Sequence, residues 1–563
     1  MKTLVSIAEA KAHLEKLLER AAQGEEIIIM ENGLQVGALN YATSSSAASV
    51  VSSEPTSVVS SEPTSVVSSE RTSVVLNEPM VLSSKPNPKP VPKKPIHTTS
   101  RKGFSIESYG AARTVTGSNH WLRMGGQNIM LDCGQFQGSK ALDAINDQDW
   151  AYKIAEIDGF FLSHAHLDHA GRLPKLVRDG YNKPIFATPS TRQIVEHLLL
   201  DSAKLQKEDF ERDQRKNKSK AMPPLFAEAD VQKALALFEV IEYNKPLEWN
   251  GLRVTAQVAG HIPGSASLLF ESPEGRFVFS GDLGNARKDI LPDPVACPDA
   301  DIVLMESTYG DRDHKPFEQT LEEFAKLLIE ATKSGGKVLI PSFALERTQD
   351  LLYHIARLEE EGRIPVLPVF VDSPLASRIE ETYAAAKYEF EPHVQKFYTT
   401  SRNPFEPKNF KYTASTDESK ALNALQGSAI IIAGAGMLTG GRILHHLRNN
   451  LSNKNTSLVI VGYQPQGGLG RLLIDGADSI NLFGEKVAVH ARVFTVGGFS
   501  AHADQTELLD WSKGVSGEVR LVHGEIKAME VLQQKLISRG QQSSLQPAMI
   551  PVPGDTGKGG EPE

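Results

Sequence analysis

Cysteine is almost absent: there are two in 563 residues. That excludes a disulfide scaffold and a cysteine-rich zinc ribbon, and it fits a reducing compartment. Long apolar runs are missing too. No stretch reaches the roughly 18 apolar residues that a membrane-spanning helix needs. The opening Met1-Lys2-Thr3-Leu4-Val5-Ser6 turns polar too early for a signal peptide. Cytoplasm is therefore the expected compartment, with no membrane partner. Positive charge is in deficit, with 60 Lys and Arg against 69 Asp and Glu, a formal net charge of −9. A globally basic nucleic-acid coat is excluded, so any nucleic acid must be held by local patches or by metal ions.

What is present can fold. The hydrophobic fraction is 40% and the charged fraction 23%, enough to fill a sizeable core. A prior of ~150 residues per domain predicts three or four domains. Sixteen histidines stand out, and several are clustered.

Residues 1–42 read as a small α+β module. Ser6 and Glu9 have capping-box spacing, and Ala10, Leu14, Leu17, Leu18 and Ala21 recur at helical spacing up to Gly24. Ile27 to Met30 reads as a strand, Asn32-Gly33 as a hairpin turn, and Val36 to Leu39 as the return strand. So short a unit rarely folds alone, and dimerisation or docking is expected. Val5-Ser6-Ile7-Ala8-Glu9-Ala10-Lys11-Ala12-His13-Leu14, then Ala22-Gln23-Gly24-Glu25-Glu26-Ile27-Ile28-Ile29 and Asn32-Gly33 resemble the Phd/YefM antitoxins. The resemblance implies a dimer that binds operator DNA; the alternative is a homodimerisation module alone.

Residues 43–102 read as a disordered linker. The octad Ser-Val-Val-Ser-Ser-Glu-Pro-Thr starts at Ser49, repeats at Ser57, varies at Ser65 and degenerates at Ser73. It buries too little to offset ordering entropy. A basic, Pro-rich tether from Lys85 to Lys102 follows. From Phe104 to about Pro553 short apolar runs alternate with helical segments. They are Ile157–Leu162, Val254–Val258, Arg276–Ser280, Ile302–Met305, Lys337–Ile340, Val366–Val371, Ile430–Ala433, Ser457–Val461 and Val519–Val522. This is α/β patterning with buried strands. The Gly/Pro-rich residues 554–563 read as a flexible tail.

The chemistry concentrates in Ser163-His164-Ala165-His166-Leu167-Asp168-His169, directly after an apolar strand. Three imidazoles and a carboxylate are the ligands zinc takes where cysteine is absent. Four ligands so close in sequence fit poorly around one tetrahedral ion, so a split between two ions is expected. His261, in Gly260-His261-Ile262-Pro263-Gly264, and Asp282, in Gly281-Asp282-Leu283-Gly284, each follow an apolar run and sit beside glycine. Together with the cluster they complete a dinuclear site.

This pattern resembles the metallo-β-lactamase superfamily, whose signature is H-x-H-x-D-H with a later His and a bridging Asp. An early Asp is matched in Leu131-Asp132-Cys133-Gly134. Leu304-Met305-Glu306-Ser307-Thr308-Tyr309-Gly310, Phe499-Ser500-Ala501-His502-Ala503-Asp504 and Leu521-Val522-His523-Gly524 resemble motifs A, B and C of its β-CASP nuclease branch. The match runs over about residues 104–553 and is nearest the bacterial and archaeal ribonucleases related to the cleavage-and-polyadenylation endonuclease.

The resemblance implies an α/β fold: an αββα metallo-β-lactamase sandwich over 103–310 and 490–553, with an α/β β-CASP domain inserted at 311–489. It implies two zinc ions, one on His164, His166 and His261, the other on Asp168, His169 and His523, with Asp282 bridging and Asp132 orienting ligands. Asp168 would take the proton of the attacking water. His502 would protonate the leaving oxygen, with Glu306 holding it, and Arg347, Ser373 and Thr439 would contact phosphates. The substrate implied is single-stranded RNA, cut endonucleolytically or from the 5′ end. His at motif C favours RNA over DNA, because the DNA-repair branch carries Val there. The rivals are a β-CASP nuclease acting on DNA, a DNA-binding regulator fused to an inert nuclease fold, and a thioesterase-like hydrolase.

Other residues read as structural. His120 is expected in a packing or supporting role. His445 and His446 are adjacent on a helix and cannot share a face, so one is expected packed and one exposed. Cys133 fills a small space and Cys297 lies in a turn. Arg212, Arg215, Lys216, Lys218 and Lys220 read as a solvated helix.

Overall fold

The computed structural model describes residues 103–551, apart from 217–220, 287–288, 334, 401, 463 and 465–466, and the backbone of four strands before them. The chain divides into two units, Met1–Ile96 and His97–Glu563.

In the first unit β1 (Lys2–Ser6), β2 (Glu26–Glu31), β3 (Leu34–Asn40) and β4 (Ser73–Val75) form one sheet in that order. β1 runs parallel to β2, and the other pairs are antiparallel. β2 and β3 are the two expected strands. The helix expected after Ser6 and the turn at Asn32-Gly33 lie outside the described residues, as do the rest of the linker and the tail at 554–563. β4 lies within residues 43–102, the stretch expected to be linker. Its Ser-Val-Val belongs to the degenerate octad, where β-branched residues favour extended backbone and pairing with β3 gives their peptide groups partners.

The second unit is built on two sheets packed face to face. The first holds β5 (Ser105–Gly110), β6 (Asn119–Met124), β7 (Gln127–Leu131), β8 (Gly159–Phe161), β9 (Ile185–Ala187) and β10 (Phe238–Val240), with neighbours in sequence order. The second runs β11 (Leu247–Trp249), β12 (Leu252–Val258), β13 (Ala266–Ser272), β14 (Gly275–Phe279), β15 (Ile302–Met305), β24 (Glu518–Leu521), β25 (Gln542–Leu545). Strand periodicity of two decides the layers. Phe277 and Phe279 point into the core between the sheets, against Phe161, Leu122 and Phe270. Val278, between them, faces the opposite way, in one core with Trp511 of helix α7 (Gln505–Trp511) and Met529 and Leu532 of α8 (Ile526–Ser538). On the far side Phe160 and Met130 share a core with Ile194, Val195 and Leu198 of the long helix α2 (Pro189–Arg215). The result is the αββα sandwich.

Between β15 and β24 the chain leaves the sandwich and builds a second α/β domain. Its sheet holds β16 (Lys337–Pro341), β17 (Val369–Asp372), β18 (Phe410–Tyr412), β19 (Ala429–Ala433), β20 (Ser457–Ile460) and β23 (Arg492–Thr495). All are parallel, in the order β18-β17-β19-β16-β20-β23. Val338, Ile340, Ile430 and Ile432 share a core with Phe324 and Leu328 of α3 (Phe317–Lys333) and Leu351 and Ile355 of α4 (Arg347–Glu360). The alternate residues Leu339, Ile431 and Leu458 share another with Ile443 and Leu447 of α6 (Arg442–Asn450). A hairpin, β21 (Ser479–Leu482) with β22 (Glu485–Ala488), precedes β23. Because β23 pairs with β20, the inserted sheet runs past the boundary expected at 489. Its neighbours α5 (Pro374–Ala385) and α6 carry further expected features. His446 is buried and its Nε2–H donates to Asp372 Oδ2 across 2.7 Å, whereas His445 is exposed and stacks on Phe483. No helix among the described residues is long and apolar enough to cross a membrane.

Glu380 of α5 is buried beside Asn403 Nδ2 (3.0 Å) and Tyr412 Oη (3.4 Å). Burial pushes its carboxyl from 4.5 up to about 7. The folded chain therefore holds this proton more tightly than the unfolded chain does. That stabilisation is complete below the unfolded value and is lost as pH rises through about 7. Glu380→Gln is expected to flatten this part of the stability profile. Urea midpoints measured stepwise across neutral pH check it, and an unaltered slope would count against it.

Candidate metal centre

The site forms where parallel strands end. β7 and β8 are parallel in the first sheet, and β14, β15 and β24 in the second. Each is an apolar run that releases polar residues at its C-terminal end. Asp132 follows β7, His164 to His169 follow β8, Asp282 follows β14, Glu306 follows β15 and His523 follows β24. His261 comes from the β12–β13 turn, where Ser265 Oγ accepts from its backbone N–H (3.0 Å). His166 sits at the N-cap of the one-turn helix α1 (Leu167–Ala170), which carries Asp168 and His169.

These residues converge. His166 Nδ1 stands 3.2 Å from His164 Nε2 and 3.1 Å from His261 Nε2. His169 Nε2 stands 3.2 Å from His523 Nε2, and Asp168 Oδ2 3.5 Å from the latter. Asp282 Oδ2 lies 3.2 Å from His169 Nε2, 3.6 Å from His164 Nε2 and 3.8 Å from His261 Nε2, so it reaches both sets. The ligand-grade triads are His164/His166/His261, His164/His169/Asp282, Asp168/His169/His523 and His261/Asp282/His502.

The donor set fits divalent cations. Ligand nitrogens around a tetrahedral zinc with bonds of ~2.0–2.1 Å stand about 3.3–3.4 Å apart, close to the spacings seen. The tautomers agree. Ala501 O can only accept, so His261 Nδ1 carries the proton (3.2 Å) and Nε2 offers its lone pair to the cluster. His169 Nδ1 faces the Asp132 carboxylate at 2.7 Å, which aims its Nε2 inward in the same way. Asp282 Oδ1 is buried and has no hydrogen-bond partner. Burial, reinforced by neighbouring imidazoles, holds His164 and His261 well below the ordinary histidine value, as neutral ligands require. Burial alone would also depress His169, but Asp282, Asp132 and Asp168 outweigh it and draw a proton there. Those carboxylates mark a centre short of positive charge.

The support beneath is polar and buried. Asp132 has a left-handed backbone (φ 58°). Its Oδ1 accepts from Ser163 N–H (2.8 Å), and its Oδ2 accepts from the Ser118 and Ser163 hydroxyls (3.0 Å each). It thus touches His169 and belongs to none of the ligand triads. His120, fully buried, hydrogen-bonds Ser108 Oγ (2.8 Å) and lies 3.3 Å from Ser118 Oγ, a supporting place as expected. His523 also has a left-handed backbone (φ 48°), fixed by its N–H bond to Ala111 O (2.6 Å). Gly134 lies so near the metal loop that a Cβ would stand 1.5 Å from Asp168 O.

Beside the cluster, Glu306 is buried. Its Oε1 accepts from Leu283 N–H (2.7 Å) and stands 3.2 Å from His502 Nδ1. Burial works against charge on His502, but the Glu306 and Asp282 carboxylates win and push it up to about 9. With Nδ1 turned to Glu306, the Nε2 edge is left for the partly exposed side.

The three expected phosphate contacts are less gathered. Arg347 opens α4, and its Nη1 donates to Val461 O (3.3 Å). Ser373 caps α5 through Ala376 N–H (3.2 Å). Thr439 is exposed in the loop after β19. Sequence reasoning missed the hydroxyls of Ser163 and Thr308, the latter 3.1 Å from His523 Nδ1. It also missed Glu346, whose charge acts on His166. Ser163 could have been flagged by its place next to His164; the other two carry no local signal. Arg212 and Arg215 lie exposed on α2, while Lys218 and Lys220 fall outside the described residues.

Asp132→Asn is expected to lower divalent-metal affinity ~10–100-fold by loosening His169. Gly134→Ala is expected to act in the same direction by displacing the Asp168 carbonyl. Competition with a chromogenic chelator measures both, and wild-type affinity in Asp132→Asn would refute the orienting role.

Comparison with known proteins agrees with this geometry. Residues 113–342 match the metallo-beta-lactamase superfamily, 348–473 the Beta-Casp domain, and 486–549 the "Zn-dependent metallo-hydrolase RNA specificity domain". "Ribonuclease TTHA0252" of Thermus thermophilus is 44% identical over 440 residues, covering 78% of this chain and 97% of that protein. "Transcription termination factor FttA" of Cenarchaeum symbiosum is 30% identical, over 77% of this chain and 68% of its own. "Cleavage and polyadenylation specificity factor 73" of Drosophila melanogaster is 27% identical, over 77% of this chain and 61% of its own. This chain belongs to the β-CASP branch of the metallo-β-lactamase superfamily, a family of metal-dependent hydrolases.

Proposed function

We propose that this chain is a two-zinc ribonuclease that hydrolyses phosphodiester bonds of single-stranded RNA. The observation that carries the reading is Asp282 standing between two ligand triads, with the His502–Glu306 pair at their side. His164, His166 and His261 would hold one ion, Asp168, His169 and His523 the other, and Asp282 both. When bound, such a pair neutralises charge on the scissile phosphate and lowers the pKa of water towards ~7.

The chain's own groups do the rest. The Asp168 carboxylate accepts or orients the proton of the attacking water. His502, protonated, gives its Nε2 proton to the leaving 3′ oxygen as the P–O bond breaks. Glu306 Oε1 keeps the Nδ1 proton in place and favours the imidazolium. The products carry 5′-phosphate and 3′-hydroxyl ends. Arg347, Ser373 and Thr439 would contact the strand's phosphates from the inserted domain.

RNA is preferred to DNA on two supports: His523 at the third motif, and the similarity to a ribonuclease of Thermus thermophilus. In this reading the catalytic parts are 103–310 with 490–553, save that β23 joins the sheet of the insert that begins at 311, and the enzyme works in the cytoplasm. Residues 1–42 would serve as a self-associating or operator-binding unit, supported by the antitoxin-like residues.

The test gives 5′-labelled single-stranded RNA and matched DNA to the full chain, to a chelated sample and to His502→Ala. Wild type is expected to cut RNA in preference to DNA, chelation to abolish cutting, and His502→Ala to lower kcat by ~10²–10⁴-fold. Intact RNA with the zinc-loaded wild type would sink the proposal. The label pattern separates internal from 5′-terminal cutting.

A further inference from the structure

His502 and Glu306 lie 196 positions apart and must meet through one 3.2 Å contact. Two short segments flank that contact: residues 310–314, just after Glu306, and 502–506. Five hydrogen bonds stitch them together. Gln505 Nε2 donates to Gly310 O (2.6 Å), and Gln505 N–H to Arg312 O (3.1 Å). Thr506 N–H donates to Asp313 Oδ1 (2.9 Å). His314 N–H donates to Asp504 Oδ2 (3.1 Å), while Asp504 Oδ1 caps α7 by accepting from Glu507 N–H (2.9 Å). Finally, His314 Nε2 lies 3.0 Å from the backbone carbonyl of His502 itself. That carbonyl can only accept, so the His314 ring must carry its proton on Nε2.

The aromatic packing points the same way. The Tyr309 ring lies edge-on to His314 at 4.5 Å, under the Arg312 guanidinium at 5.0 Å and 6.3 Å from the His502 ring. His314 is thereby held from the side while it holds His502 from behind. Nothing in the reaction scheme uses this ring, and it is only partly exposed.

We propose that His314 is a positioning residue: it fixes the backbone of His502 so that Nδ1 stays on Glu306 and Nε2 stays aimed at the leaving oxygen. The inference rests on the ribonuclease reading for the identity of that oxygen, but not for the contact. A misplacement of about 1 Å at a reacting group can cost on the order of 10²-fold in rate, so a single backbone bond here has leverage.

The experiment uses the zinc-loaded full chain with His314→Ala and His314→Gln, each also combined with His502→Ala. His314→Ala is expected to lower kcat on single-stranded RNA by ~10–100-fold, with KM, zinc content and melting temperature held. Gln, whose amide N–H can reach the same carbonyl, should restore most of the rate. In the His502→Ala background the His314→Ala loss should vanish, because both act through one group. Spectra of ¹⁵N-histidine-labelled protein supply a readout apart from activity: the His502 ring signals should move in His314→Ala and return in His314→Gln. Rate losses that multiply, zinc lost in the single variant, or His502 signals indifferent to His314→Ala would each overturn the proposal. Wild type that leaves RNA intact would instead refute the ribonuclease reading, and the spectra would still decide the role of His314.

Discussion

Everything in the catalytic unit depends on keeping seven lone-pair donors together in a place where water cannot satisfy them. His164, His169, His261, Asp282 and His523 are almost wholly buried, and their nitrogen and oxygen atoms converge on one another. Such an arrangement is unfavourable by itself, since buried polar groups need partners and like partial charges repel. It persists because each ring is pinned from behind. Asp132 holds His169, Ala501 O holds His261, and Thr308 Oγ1 holds His523. A divalent cation entering such a set would find ligands already aimed.

The sandwich explains why that pinning is possible. Parallel strands end at the same rim, so β7, β8, β14, β15 and β24 deliver their following residues to one place. The alternating apolar residues behind them fill three layers of core. The left-handed backbone at Asp132 and His523 is the strain this delivery costs, and it is carried by the hydrogen bonds that fix both residues. The inserted domain shares a hydrophobic core with the outer face of the first sheet, and the charge of Glu346, which follows its strand β16, acts on His166.

Much of this was legible in the residues. His164 to His169 are adjacent, so their ligand density needs no fold to be noticed. Buried strands such as Ile302–Met305 and Ala429–Ala433 read as unbroken apolar runs because both faces are covered. What escaped was of two kinds. Short strands such as β5 and β9 carry polar residues or span three positions, too little for periodicity to register. Supporting groups such as Ser163 and Thr308 act through two hydrogen bonds each to Asp132 and His523, and serine and threonine make such bonds everywhere.

Residue chemistry and local order already carried the inventory: the imidazoles and carboxylates of the candidate metal centre, the His502 and Glu306 side chains beside it, and apolar runs that could only be buried strands. Side-chain chemistry and local period are properties of neighbouring residues, so they survive in the linear chain. Which of these residues meet is set by the fold. His169 meets His523 across 354 positions, Asp282 sits between the two triads, and β23 joins the inserted sheet rather than the sandwich. These follow from strand order and from which helices cover each face, and in an α/β protein distance along the chain says little about either.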